Sequence, residues 1–214
     1  MNFWQFLVAN RQQVAELTVE HITLAGVATL LAALVGIPLG IVITRVRGLS
    51  KPVLGTANVI QTIPSLALFG FLLPAPWIGA RSGRLAILAL ALYALLPLIR
   101  NTYAGIRSVD PAVVEAGRAM GLTDRQLLWQ VELPLASGVI VAGLRIAAVV
   151  TIGLATIAAA IGAGGLGEFI FRGLAMVNDQ VILAGAVPAA ALALIVDFLL
   201  GLVEKRLGTL TVKA

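Results

Sequence analysis

The chain has 214 residues, of which 60% are hydrophobic and 12% charged, with a formal net charge of +5. Soluble domains carry about 45–50% apolar and about 25% charged residues, so a soluble fold would lack polar cover here, and disorder is excluded because it needs low hydrophobicity. The composition is that of an integral membrane protein, with no cysteine and a single histidine, His21, which removes disulfides, thiolate chemistry and multi-histidine metal sites.

In chain order, Met1-Asn2-Phe3-Trp4 lacks a basic region, and Arg11, Glu16 and Glu20 follow, so no cleaved signal peptide is expected. Over residues 1–20, Phe3, Phe6, Leu7, Val14 and Leu17 share one helical face, with Gln12, Gln13 and Glu16 off it. This predicts an amphipathic helix on the outer leaflet; the alternative is a plain extension of the first span. Five stretches then reach the roughly 20 apolar residues a crossing needs: Ile22–Thr44, Val53–Leu73, Leu85–Arg107, Leu135–Ile161 and Val181–Val203. All should be helical, since these runs are too long and too uniform for barrel strands. Gly36 and Gly40 in the first span allow close helix approach, while Pro38, Pro64, Pro97 and Pro188 predict kinks that either aid packing or line a pathway.

Five crossings place the two ends on opposite sides, and the basic residues choose the orientation. With the C-terminus inside, Arg45, Arg47, Lys51, Arg100, Arg107, Arg118, Arg125, Lys205, Arg206 and Lys213 face inward, against Arg11, Arg81, Arg84 and Arg172 outside. The expected fold is therefore a single all-α transmembrane domain over residues 1–214, N-out and C-in.

The polar segment between the third and fourth spans, residues 108–134, is patterned rather than loose. Asp110-Pro111 reads as an N-cap with proline at N1, and Gly121 as the left-handed residue that ends a short helix. Thr123 and Gln126 form a capping-box pattern before a second short helix, which Pro134 is expected to stop. Such a helix–turn–helix could be structural, read DNA, or dock a cytoplasmic protein. Three arginines (Arg107, Arg118, Arg125) against four carboxylates (Asp110, Glu115, Asp124, Glu132) give a net of −1, which rules against nucleic acid.

Glu115-Ala116-Gly117, three residues, Gly121, nine residues, and Val131-Glu132-Leu133-Pro134 resemble the EAA loop of bacterial ABC-importer permeases. That pattern is Glu-Ala-Ala, three residues, Gly, nine residues, Ile-x-Leu-Pro; Gly117 and Val131 are the departures. Gln61-Thr62-Ile63-Pro64-Ser65-Leu66-Ala67, Gly164-Gly165-Leu166-Gly167, and the Pro188 and Asp197 region are similar to the osmoprotectant branch (glycine betaine, choline, carnitine), so the likeness runs from about His21 to Glu204. Methionine-importer permeases are related and also small. The resemblance implies a bacterial inner-membrane permease that pairs with a second copy or a paralogue. It also implies two cytoplasmic ATP-binding subunits that receive the loop, and an external binding protein that delivers substrate.

The residues fit that division of labour. There is no Gly-x4-Gly-Lys-Ser/Thr phosphate loop, so ATP and magnesium belong to a partner subunit and this chain needs no cofactor of its own. Gly162-x-Gly164-x-x-Gly167 matches the dinucleotide fingerprint by letter, but it follows a membrane helix rather than a strand; Gly164, Gly165 and Gly167 read as a tight external gate loop. Gln61, Thr62, Ser65 and Tyr93 are candidate path-lining groups, or else hydrogen bonds between helices. One tyrosine cannot cage a quaternary ammonium, which points to tight recognition on the binding protein. Arg145 and Asp197 are intramembrane charges expected to pair, with Arg100 as a competing partner. An ion-coupled secondary transporter would need titratable groups at mid-membrane, which the first three spans lack. A purely structural subunit would be indifferent to a bulky residue at Gly121.

Overall fold

The computed structural model describes residues 3–46, 48–74 and 82–212, with side chains through residue 208; Arg47, Arg81 and Lys213 of the charge count lie outside the described residues. Among the described residues the chain is helical throughout. The helices are α1 (Phe3–Ala9), α2 (Arg11–Arg45), α3 (Ser50–Thr62), α4 (Ser65–Leu72), α5 (Ser82–Arg107), α6 (Pro111–Ala119), α7 (Asp124–Leu127), α8 (Leu133–Ala158), α9 (Gly167–Met176) and α10 (Asp179–Val212). A π-helical turn, Leu128–Glu132, joins α7 to α8, and a 3-10 turn, Ala159–Ile161, ends α8. Four helical runs are long and apolar enough to cross a membrane, and the α3–α4 pair qualifies together as a fifth or as a re-entrant loop. The chain is thus a multi-pass integral membrane protein.

Packing between the long helices follows their small residues. A Cβ on Gly36 would lie 3.0 Å from Leu98 Cβ, and one on Gly40 would lie 2.6 Å from Thr102 Cβ, so α2 meets α5 backbone to side chain. Gly143 brings α8 as close to Asn101 and the Pro97 carbonyl. Leu24, Ala25 and Ala28 of α2 share a core with Leu85, Ala86 and Ala89 of α5 and with Ile152, Ala155 and Ala158 of α8. These contacts fix directions: α2 and α5 run parallel, and α8 returns against both. α10 returns again, since Val181 and Gly185 meet α9 while Gly208 lies beside Gly138 at the start of α8. One end of the bundle therefore carries Arg45, α6 and α7; the other carries α1, Glu20 and the Gly162–Gly167 loop.

Three features depart from the expectations above. First, residues 11–20 belong to α2, which runs 35 residues and passes through Pro38, so the alternative of an extended first span holds for them. Only Phe3–Ala9 forms a separate helix, ended by Asn10, whose side chain donates to the Phe6 carbonyl at 2.9 Å. On the apolar face of 1–20, Leu17 is buried and Phe6, Leu7 and Val14 are partly buried against Leu166, Phe169 and Val181. Second, the stretch Val53–Leu73 is two helices bent by 99°. Pro64 forces Ile63 into extended backbone (φ −68°, ψ 128°), which α-helix cannot absorb. Third, Pro134 stops nothing, because α7, the π turn and α8 form one continuous run, Asp124–Ile161. The wider π turn, in which Leu133 N bonds the Leu128 carbonyl, spaces the helix just ahead of a proline that has no N–H to offer.

Candidate functional site

The α6–α7 turn is built from local hydrogen bonds. Asp110 caps α6 by accepting from Ala112 N at 2.8 Å, and Pro111 takes the first helical position, where its missing N–H costs nothing. At the other end, Gly121 sits at φ +86°, its N–H bonds the Arg118 carbonyl at 2.9 Å, and Leu122 N bonds the Gly117 carbonyl at 3.1 Å. That pair of bonds is a Schellman closure, which demands a left-handed residue at position 121. Thr123 and Gln126 complete a capping box for α7. Gly117, the departure from the family pattern, also has a packing reason: a Cβ there would lie 2.7 Å from Leu127 Cδ1, the buried side chain that holds the two helices together.

The loop residues divide by exposure. Gly117 is buried and Val131 and Leu133 are half-buried, so these hold the turn, while Glu115, Ala116, Gly121 and Pro134 are exposed. Val113, Met120 (77% exposed) and Trp129 (63% exposed) add large apolar groups to the outward surface. The neighbouring Arg118–Asp124 pair, 3.5 Å apart, is exposed on both sides and contributes little.

One acid of this unit has a partner that its position in the loop does not announce. Glu132 is 5% exposed and paired with Arg45, the last residue of α2. A signal existed: Glu132 stands four residues before Ala136 and continues the buried stripe of Ala136, Gly143, Ala147 and Thr151. An acid on a buried stripe needs a buried partner.

Inside the bundle, the polar groups of the broken segment converge on Tyr93. Its hydroxyl donates to the Ile63 carbonyl, one of the groups freed by Pro64, and Gln61 Nε2 reaches the Tyr93 carbonyl at 3.5 Å. Thr62 instead bonds back to the Val59 carbonyl of its own helix, and Ser65 opens α4. Tyr93 is 5% exposed, so within one chain its ring is packed against the break rather than open. Arg145 and Asp197 come together: Nε donates to Oδ1 at 2.6 Å and Nη2 to Oδ2 at 2.7 Å, while Nη1 reaches Glu204 Oε2 at 3.2 Å. Arg145, not Arg100, is the partner of Asp197. Glu204 was not anticipated; it lies seven residues, two helical turns, beyond Asp197 and hence on the same face of α10. A planar guanidinium that serves two carboxylates staples α8 to α10 at a depth where unpaired charge is costly.

At the opposite end, Gly162, Gly164 and Gly165 all have positive φ. Gly165 N donates to Glu20 Oε2 at 3.0 Å, and His21, fully buried below it, places Nε2 3.0 Å from the Ile152 carbonyl. Ser82 Oγ donates to the Gly162 carbonyl at 2.5 Å. Gly167 is the tightest point, because a Cβ there would sit 2.0 Å from the Thr156 carbonyl oxygen. Glu20 and Ser82 likewise went unnoticed in the sequence, since each gains its role only through tertiary contact.

Comparisons with known proteins place this geometry. The profile of the family described as "binding-protein-dependent transport system inner membrane component" matches residues 36–209. A glycine betaine/carnitine/choline transport system permease protein of Bacillus subtilis is 49% identical over 195 residues, 91% of this chain and 84% of its own. A choline transport system permease protein of the same organism is 43% identical over 203 residues, 95% of this chain and 92% of its own. Among solved structures, the inward-facing MetNI methionine ABC transporter superposes with a TM-score of 0.84 at 22% identity, covering 92% of this chain and 97% of that one, which establishes a shared fold. With its profile match over most of its length and its capped loop between α5 and α8, the chain belongs to the family of binding-protein-dependent transport system inner membrane components.

Proposed function

We propose that this chain is the transmembrane permease of an ATP-driven importer that carries quaternary-amine osmoprotectants, such as glycine betaine, choline or carnitine, across a bacterial inner membrane. The observation that carries the coupling role is the α6–α7 turn, self-contained, rigid and presenting Glu115, Ala116 and Met120 outward. A cytoplasmic ATP-binding subunit docks there and supplies ATP and magnesium. An external binding protein supplies substrate, and a second permease completes the path. The relatives at 43–49% identity bear osmoprotectant names, whereas the methionine transporter shares the fold at 22% identity, which favours quaternary amines over amino acids.

The chain crosses five times, N-out and C-in. Parallel α2 and α5 support this count, because the α3–α4 segment between them must return across the bundle. Orientation is supported by the basic residues: of those described, Arg45, Lys51, Arg100, Arg107, Arg118, Arg125, Lys205 and Arg206 gather toward the α6 end, against Arg11, Arg84 and Arg172 at the other. Gln61 and Tyr93 position the break in the second crossing, and the Gly162–Gly167 loop forms the outer gate.

The test is uptake of radiolabelled glycine betaine, choline and methionine into proteoliposomes holding the whole transporter. ATP-dependent accumulation of the first two is expected. Accumulation of methionine alone would reassign the substrate, and uptake that follows an ion gradient without ATP would overturn the reading.

A further inference from the structure

Two contacts with no part in the function above stand at opposite ends of one helix. At its last residue, Arg45 Nη1 donates to Glu132 Oε1 at 3.2 Å and Nη2 pairs with Oε2. The Glu132 side chain is 6% exposed, so its charge has almost no water to turn to and the pair is not an optional surface bridge. Glu132 also closes the π turn that joins the α6–α7 unit to α8, and single π turns mark places where a helix accommodates displacement. Twenty-five residues earlier, Glu20 Oε2 holds Gly165 N at 3.0 Å, and a Cβ on Gly164 would lie 2.5 Å from the same oxygen.

Between these ends α2 is one helix, and Glu20 to Arg45 spans about 37 Å at 1.5 Å per residue. That exceeds the roughly 30 Å of bilayer hydrocarbon, so the same helix reaches both membrane surfaces. Its weak point is Pro38, where one ladder bond is missing. Gly36 and Gly40 press that turn directly onto Leu98 and Thr102 of α5, which braces it.

We infer that α2 is a connecting rod between the coupling loop and the outer gate. The Arg45–Glu132 pair fastens its cytoplasmic end to the unit that meets the ATPase, and the Glu20–Gly165 bond fastens its external end to the glycine loop. A displacement of the α6–α7 unit is delivered through Glu132 to α2 and from Glu20 to the loop. Arg45, Glu132 and Glu20 act through the groups they hold and are positioning residues. The inference rests on the proposed function, since the loop must engage an ATPase for the rod to carry anything.

The experiment uses the complete transporter in lipid nanodiscs and measures ATPase activity without and with binding protein saturated with glycine betaine. Glu132→Gln, which removes the charge of the ion pair, and Glu20→Ala, which removes the acceptor of the Gly165 N–H, should each leave the unstimulated rate within about twofold and reduce the stimulation about fivefold or more, the lower range of allosteric couplings. The double variant should be no worse than the worse single one, because both break the same link. Exchanging the charges, Arg45→Glu with Glu132→Arg, should restore most of the stimulation. Losses that multiply in the double variant, as independent distant sites give, would overturn the rod. So would wild-type stimulation in Glu132→Gln, or failure of the charge exchange to rescue it. Gly121→Val separates the two levels: if it loses stimulation while Glu132→Gln and Glu20→Ala keep it, only the rod falls. If Gly121→Val also keeps full stimulation, the coupling reading falls with it.

Discussion

The α6–α7 turn and the Gly162–Gly167 loop both depend on left-handed glycines, yet they are secured in opposite ways. The first closes on itself: Asp110, Gly121, Thr123 and Gln126 satisfy its helix ends with local bonds, and Leu127 fills its own small core. The second has local turn bonds as well, but it is also stitched to distant chain through Glu20 and Ser82 and packed on His21 and the Thr156 carbonyl. A self-contained unit keeps its shape when pushed and can dock as a solid body. A stitched loop changes when its neighbours move. The contrast suits a driver at one end of the bundle and a gate at the other.

That contrast can be broken at either end, beginning where the effect is largest. Gly167→Leu forces side-chain atoms into the Thr156 carbonyl and should cost about 3 kcal/mol or more, separating α9 from α8. The check is a large fall in Tm of the purified permease; an unchanged Tm would show that the stitching is dispensable. Leu127→Ala empties the core of the driver and should cost about 2–5 kcal/mol. Its effect should stay local, seen as faster hydrogen exchange over residues 111–127 with the membrane helices still protected. Gly121→Val imposes about 1–2 kcal/mol of left-handed strain. A Cβ at 121 meets nothing within 4 Å, so the cost is backbone alone and Gly121→Asn should recover part of it. Asp110→Ala removes one cap for about 1 kcal/mol and should only fray the start of α6. If Leu127→Ala and Gly121→Val lowered global Tm as much as Gly167→Leu, the α6–α7 unit would not be self-contained.

What the sequence disclosed follows the same division. Asp110-Pro111, Gly121 and Thr123-x-x-Gln126 announce the α6–α7 turn, because caps and turns are local chemistry written in adjacent residues. The apolar runs announce the membrane helices for the same reason. The break at Pro64 was visible as a proline but not as a 99° bend, and the hydroxyl of Tyr93 that donates to the Ile63 carbonyl lies 30 residues away. Pro134 misled, because a stop signal can be absorbed by a π turn that no residue pattern marks. Residues 11–20 have the amphipathic pattern of a surface helix, and only the folded chain reveals that Val14 and Leu17 pack on Leu166, Phe169 and Val181. Glu132 and Glu20 were legible as acids and illegible as partners, since Arg45 and Gly165 lie 87 and 145 residues away.

The most direct test of the central claim uses the absence of native cysteine. A single cysteine at Ala116 on the driver, or at Ala163 in the glycine loop, is introduced into the assembled transporter and treated with a short cysteine-to-amine cross-linker. The account predicts a covalent adduct between this chain and the ATP-binding subunit from Ala116→Cys and none from Ala163→Cys. An adduct to that subunit from Ala163→Cys, with none from Ala116→Cys, would contradict it.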